Sequence, residues 1–369
     1  PLQPNRYAGT NALPSGAEGV EDIKGLVKPA LYGTVLNAAP VLVNTSKLIY
    51  QLRDGALQSV GAVYDQGVAL TFASDRADLA ALEAASVAAG NFDTCLALGL
   101  IRLGSSPQGQ VTADAAEGAN GAARTAAQIV KRLLEGPGGV PSGDIDAGAV
   151  AALDALNASV LGFYADREAS LGDALDRVLA SIGGYLTVGA SGLFTVGRLD
   201  APGVSAVRAF TVHDILSIER VSPADPGRGV PVKRVTARYA PNFTPQADAD
   251  LAGAVTLTRR QFVKEAYRAV TSEDGSVATA HLLAGEIALE TLLADEADAG
   301  DEADRVLALR KVRRDLLRVS IADPAPEAEL GATIALKMAR FGMGAGRNFV
   351  VTSRSEELSR GGVVLEVFG

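Results

Sequence analysis

The chain has 369 residues, enough for two or three domains of ordinary size. Its 43 Asp and Glu against 34 Lys and Arg leave a net charge of −9, which argues against a nucleic-acid-binding surface, because phosphates demand clustered cations. The single cysteine, Cys95, excludes an intramolecular disulfide framework and a cysteine-built metal centre, and no apolar run approaches the roughly 18 residues of a membrane span.

In chain order, residues 1–27 hold the turn formers Asn11, Pro14, Ser15, Gly16 and Gly19 and few candidates for burial, so they read as an extended arm. Pro1 is not an initiator residue, and the chain is expected to be trimmed or processed. Residues 28–118 change texture. Short β-type runs, Pro40–Val43, Leu48–Leu52, Val60–Tyr64 and Val68–Thr71, are divided by Asn44-Thr45, Arg53-Asp54-Gly55 and Asp65-Gln66-Gly67. A short Ala-rich helix is expected between Asp75 and Gly90, and Leu98–Leu103 returns to strand.

Residues 119–201 read as an α+β insert. Ala126, Ile129, Val130, Leu133 and Leu134 share one face of a helix over Ala122–Leu134, stopped by Gly136-Pro137-Gly138-Gly139. Asp144 or Asp146 caps a second helix carrying Val150 and Leu153. Ser170 and Asp173 resemble a capping box ahead of Leu171, Leu175, Val178, Leu179 and Ile182. A hairpin, Tyr185–Val188 with Leu193–Leu199, follows.

Residues 202–369 read as a second β domain with an excursion over 240–311. Val207–Val212, Ile215–Val221 and Val232–Tyr239 are expected strands, and "SPADPGRG" between the last two is an expected exposed loop. A helix is expected over Thr279–Leu293, stacking Leu282, Leu289 and Leu293, and another over Asp301–Val312 with Ala299, Ala303, Val306 and Leu309 as its stripe. Four alternating strands close the chain, with Val319, Ile334, Leu336, Val351 and Leu365 as the expected barrel core. Gly331, Gly342, Gly346 and Gly362 are expected at its turns, where forty glycines in the whole chain already point to many tight bends. The fold class is therefore α+β and β-rich: two small antiparallel barrel-like domains with an α+β insert.

The segments "LGATIAL", "FGMGAGRNFVVTSRSEE" and "GGVVLEVFG", which follow an acidic Ala-rich helix, resemble the hub barrel of phage tail-tip and baseplate proteins. That barrel is shared with type VI secretion spike proteins. "DIKGLVKPALYGTVLNAAPVLVN", "LIYQLRDG", "AVYDQGVALT" and "IRLGSSPQGQVTADAAEG" resemble tail-tip hub proteins of siphophages and prophages, and Phe243 stands where that family has an aromatic residue after Asn. The resemblance implies a structural virion component at the tail tip, assembled in the bacterial host cytoplasm. It also implies two barrel copies per chain and a homotrimer that closes the tail tube. Partners implied are distal tail or tail-tube proteins, the tape-measure protein and a central spike or fibre. Contact with the host cell surface would be indirect, and no sequence-specific nucleic acid is implied.

No catalytic, cofactor-binding or metal-ligating motif emerges, and the chain is not expected to be an enzyme. Gly342–Gly346 has no third glycine at the offset a dinucleotide fingerprint requires and no helix pattern after it, and Gly104-Ser105-Ser106-Pro107 lacks the nucleophile-elbow spacing. His213 and His281 have no carboxylate at ligand spacing, and the acidic run Asp295–Asp304 lacks the order of a calcium loop. The alternatives are a carbohydrate-binding adhesin module and a tail-associated cell-wall hydrolase. If the chain lines a conduit, Arg259-Arg260 and the basic groups of Arg310–Arg314 are expected to face neighbours, solvent or the acidic segment Asp295–Glu302.

Overall fold

Alternation of apolar residues along short strands first places two five-stranded sheets face to face. In a computed structural model, which describes residues 1–221, 231–357 and 361–369, one sheet runs in the order β10–β1–β9–β4–β5. Its strands are β1 (Ala30–Ala38), β4 (Ser59–Asp65), β5 (Val68–Ala69), β9 (Val111–Ala116) and β10 (Gly162–Ala165). The other runs β2–β3–β8–β7–β6, from β2 (Val41–Asn44), β3 (Ile49–Gln51), β6 (Thr71–Asp75), β7 (Asn91–Cys95) and β8 (Leu100–Leu103). Leu31, Val35 and Val63 of the first sheet meet Tyr50, Phe92 and Ile101 of the second in one core. The expected Ala-rich helix is α1 (Leu79–Ala84), capped by Asp78, with Leu82 its buried anchor.

Residues 1–27, expected as an extended arm with few candidates for burial, are pinned to the rest of the chain. Leu2 and Tyr7 are buried, and the Leu2 amide donates to the Ala169 carbonyl while the Gln3 amide group bonds to Ala165, Arg167 and Ala169. Tyr7 donates from its hydroxyl to Gln51 at 2.7 Å. Long-range partners 44 and more residues away were invisible to a local reading of turn residues.

The insert folds as its caps dictate. Thr125, Asp146 and Ser170 accept from the first-turn amides of α2 (Ala126–Glu135), α3 (Ala147–Leu156) and α4 (Leu171–Ala180), and the hairpin is β11 (Gly184–Val188) with β12 (Phe194–Arg198). Residues 119–201 also pack into the rest of the chain. Their strand β10 joins the first sheet beside β1, and Ile129, Leu133, Leu153 and Leu179 share one core with Val235, Leu293, Ala303 and Val306.

Those last residues belong to an α/β layer within the excursion. Strand β15 (Val232–Tyr239), expected in the C-terminal barrel, instead sits between β16 (Arg268–Glu273) and β17 (Gly285–Glu290), under α7 (Glu296–Arg310). The expected helix Thr279–Leu293 is thus corrected. Only α6 (Gly275–Ala280) is helical there, and β17 follows, because Ile287 and Leu289 alternate with Glu286 and Glu290. Period two prevails since the glutamates pair across strands: Arg234 bonds Glu273 and Glu286, and Arg238 bonds Glu290 at 2.6 Å. Helix α5 (Leu257–Lys264), capped by Thr256, packs Val263 against Leu251 and Val255.

The C-terminal sheet has the order β13–β19–β20–β21–β18–β14, from β13 (Ala209–Thr211), β14 (Ile215–Arg220), β18 (Leu316–Ile321), β19 (Thr333–Lys337), β20 (Arg347–Glu357) and β21 (Gly362–Phe368). Its edge strands β13 and β14 are consecutive in the chain and joined by a three-residue turn in which Asp214 caps the Thr211 amide and hydroxyl. So short a link between opposite edges curls the sheet almost onto itself. It does not close: β13 pairs with β19 and β14 with β18, but not with each other. The segment "SPADPGRG" lies outside the described residues.

Leu365, fully buried here, and Leu282, 94% exposed, give opposite expectations. Leu365→Ala is expected to cost about 2–5 kcal/mol. Leu282→Ala is expected to stay within about 0.5 kcal/mol, the reverse of what a stacked helix would give. Urea melts of the two variants make the comparison.

Candidate functional site

The residues singled out in the sequence gather in the C-terminal curl. Val319, Ile334, Leu336, Val351 and Leu365 are all fully buried in one cluster with Phe210 and Phe349. Gly331, Gly342 and Gly346 have φ of +81°, +75° and +90°, the left-handed region that a side chain disfavours. Gly362 differs. It is the first residue of β21, and the positive φ falls on Gly361, but a Cβ at Gly362 would meet the Ile321 carbonyl oxygen at 2.5 Å. Gly331 is confined twice over, because its Cβ would meet the Tyr185 hydroxyl at 2.5 Å, and that hydroxyl donates to Leu330 at 2.8 Å. The turn glycine therefore holds the insert hairpin against the C-terminal sheet. Gly342 and Gly346 face open space.

The histidines and the acidic run make no shared site. His213 and His281 are exposed, and Asp214 turns to Thr211 rather than to His213. Within the acidic run, Glu302 pairs with Arg305 at 2.6 Å and Glu296 accepts from the Tyr239 hydroxyl. Among the described residues no group of three or more His, Cys, Asp and Glu could hold a metal ion.

A second constellation was not anticipated. Arg259, expected to face solvent or a neighbour, instead points into the seam between the first sheet and the excursion. Its guanidinium lies 3.6 Å from the Tyr64 ring centroid and 4.9 Å from that of Phe262, and it donates to Asn37 Oδ1 at 2.5 Å. Asn37 is fully buried at φ 53° in the β1 bulge, donating from its side chain to Asn242 Oδ1 and to the Thr244 carbonyl, each at 2.7 Å. Asn242 in turn donates to the Val263 and Glu265 carbonyls. Asp114 accepts from the Asn37 amide and from the Tyr64 hydroxyl. Burial pulls the Arg259 guanidinium below the ordinary arginine range, partly offset by Tyr64 and Asp114. The one sequence signal was Phe243 after Asn242, and the Phe243 ring packs edge-on against Tyr164, 5.8 Å between centroids.

The remaining basic groups divide. Arg260 and Lys264 pair with Asp248, and Lys311 with Asp274. Arg314 lies near the Phe368 ring and donates to the Leu309 carbonyl, while Arg313 is exposed.

These contacts define a mixed α+β protein of curled sheets and helices, with a β unit at either end of the chain. No family model matches the chain, and no curated protein matches it. Among solved structures it is similar to the tail protein from Neisseria meningitidis MC58, at 14% identity and TM-score 0.41 over 72% of this chain and 76% of that one. It is also similar to the 43 kDa tail protein of prophage MuSo2 from Shewanella oneidensis, at 12% identity and TM-score 0.37 over 73% and 75%. The prophage tail protein gp18 from Listeria monocytogenes EGD-e gives 11% identity and TM-score 0.30 over 54% and 53%.

Two outcomes follow from this geometry. Gly342→Ala is expected to cost about 1–2 kcal/mol through backbone strain alone, whereas Gly331→Ala, which also displaces Tyr185, is expected to cost more; thermal melts rank them. The Tyr64 hydroxyl is pushed up to about 12, first by burial and then by the Asp114 charge. Its folded-state value lies above the unfolded one near 10, so its stabilising share is complete below about pH 10 and is lost as pH rises toward 12. Urea titrations across that window are expected to show a shallower pH slope for Tyr64→Phe than for the parent.

Proposed function

We propose that the chain is a structural tail-tip (baseplate) hub subunit of a phage or prophage tail, which closes the tail tube and anchors a central spike or fibre. The observation that carries this reading is the doubled architecture: a five-on-five β sandwich near one end of the chain and a nearly closed six-stranded curl at the other. Between them lies an α/β layer, whose helix α7 reaches the curl through Leu309 against Leu316, Val350 and Phe368. The resemblance of the segments within both units to hub proteins supports it. In this reading three chains present six β units to a six-fold tube, and so match it to a three-fold spike. The assembled ring forms a conduit for the tape-measure protein and then DNA, so its inward surface is acidic or neutral. The chain works by shape and contact rather than catalysis, within the virion tail tip after assembly in the host cytoplasm.

Light scattering on the purified chain is expected to give three copies. A stable monomer that binds sugar would reverse the assignment in favour of an adhesin, and a ring of six chains would remove the symmetry argument.

A further inference from the structure

The hairpin β11–β12 has one covered edge and one open edge. On the β12 side, Phe194 bridges to Ile145 and its carbonyl accepts from the Asp146 amide. On the β11 side no strand pairs among the described residues. The register settles which groups point there. Leu199 N donates to Gly183 O, and Gly189 N donates to Leu193 O, so the odd-numbered residues of β11 are the hydrogen-bonded positions of the hairpin. The amides and carbonyls of Gly184, Leu186 and Val188 therefore face outward, and among the described residues no backbone hydrogen bond from another element meets them.

A cavity accompanies the start of that edge. A groove of about 520 Å³ between α4 and the start of β11 is floored by Leu175, Leu179, Tyr185 and Leu186. A separate cleft of about 320 Å³ lies at the turn end of the hairpin, between Thr187–Ala190 with Thr195 and the C-terminal residues Glu329, Leu330 and Thr352–Arg354. On the rim of the first groove Asp176 is exposed, as is Asp173 one turn away on α4, and among the described residues neither carboxylate has an ion pair.

We propose that the β11 edge docks an extended segment of a second protein by strand addition, with its apolar side chains alternating into the α4 groove and a lysine or arginine meeting Asp176. Only a polypeptide backbone offers donors and acceptors at the spacing that Gly184, Leu186 and Val188 present. The unpaired carboxylates select a cationic segment, and the net charge of −9 disfavours a second copy of this chain as its source. A free strand edge with an apolar floor is otherwise a hazard for aggregation, which a permanent occupant removes. This site stands apart from the hub reading and survives its failure.

The test uses the full chain and a short synthetic peptide of alternating Val and Thr with Lys at both ends. Hydrogen exchange followed by mass spectrometry is expected to show fast exchange at Gly184, Leu186 and Val188 in the free protein and protection on adding peptide. The same peptide N-methylated on its edge-facing amides is expected to bind about tenfold more weakly or less, and Asp176→Lys is expected to weaken the unmodified peptide. Equal binding of the methylated peptide, absence of binding, or slow exchange of these amides in the free chain overturns the proposal. Protection that grows with protein concentration alone assigns the edge to a second copy and overturns it as well.

Discussion

Strand β1 changes partners at Gly33, and the relation between the sandwich and everything C-terminal to it depends on that exchange. Ala30–Gly33 pairs with β10, and Thr34–Ala38 with β9. The switch requires a left-handed residue, met by Gly33 at φ +72°, and a backbone approach so close that a Cβ on Gly33 would collide with the Leu161 carbonyl and one on Gly162 with the Thr34 carbonyl. A single strand thus belongs to two cores at once. Leu31 and Val35 point to the sandwich, while Tyr32 points to the helices.

The second tie is polar and buried, which makes it specific rather than cheap. Asn37 cannot be exposed to water, so each of its side-chain atoms must find a partner, and the partners come from the excursion some 200 residues away. An apolar seam of similar area would tolerate sliding, because hydrophobic contact has no direction. The Asn37–Asn242 pair and the Arg259 guanidinium stacked on Tyr64 admit one register. The excursion is therefore fixed on the sandwich while it also supplies the layer that covers α2–α4.

How much of this was legible depends on how local the cause is. The helix at Leu171 was readable because Ser170 and the spacing of Leu175, Val178 and Leu179 lie within one segment. The C-terminal core was readable for the same reason, since Val319, Val351 and Leu365 alternate with polar neighbours. The strand at Gly285 was misread because its leucines fit a helical period, and only the distant Arg234 and Arg238 decide the matter. The same holds for the arm, whose Leu2 and Tyr7 look unremarkable until residues 51 and 169 are known. Arg259 carried no motif at all. Its role is a property of the seam, assembled from β1, β4, β9 and α5, and no window of sequence contains it.

The arm has a consequence for how the protein is made. Leu2 and Gln3 bond to residues 165–169, and β1 takes β9 and β10 as its neighbours. At ordinary ribosomal speeds of about 5–20 residues per second, the first strand therefore waits on the order of ten seconds for both flanks to emerge. Until then its amides and the apolar side chains of Leu31, Tyr32 and Val35 have no permanent cover. Such non-local pairing slows folding and invites the nascent segment to stick to its neighbours on the same message. Shielding of residues 30–38 during synthesis is thus one demand on chaperones, and β13 of the C-terminal curl makes a similar one, since Ala209 waits for Ala335 of β19.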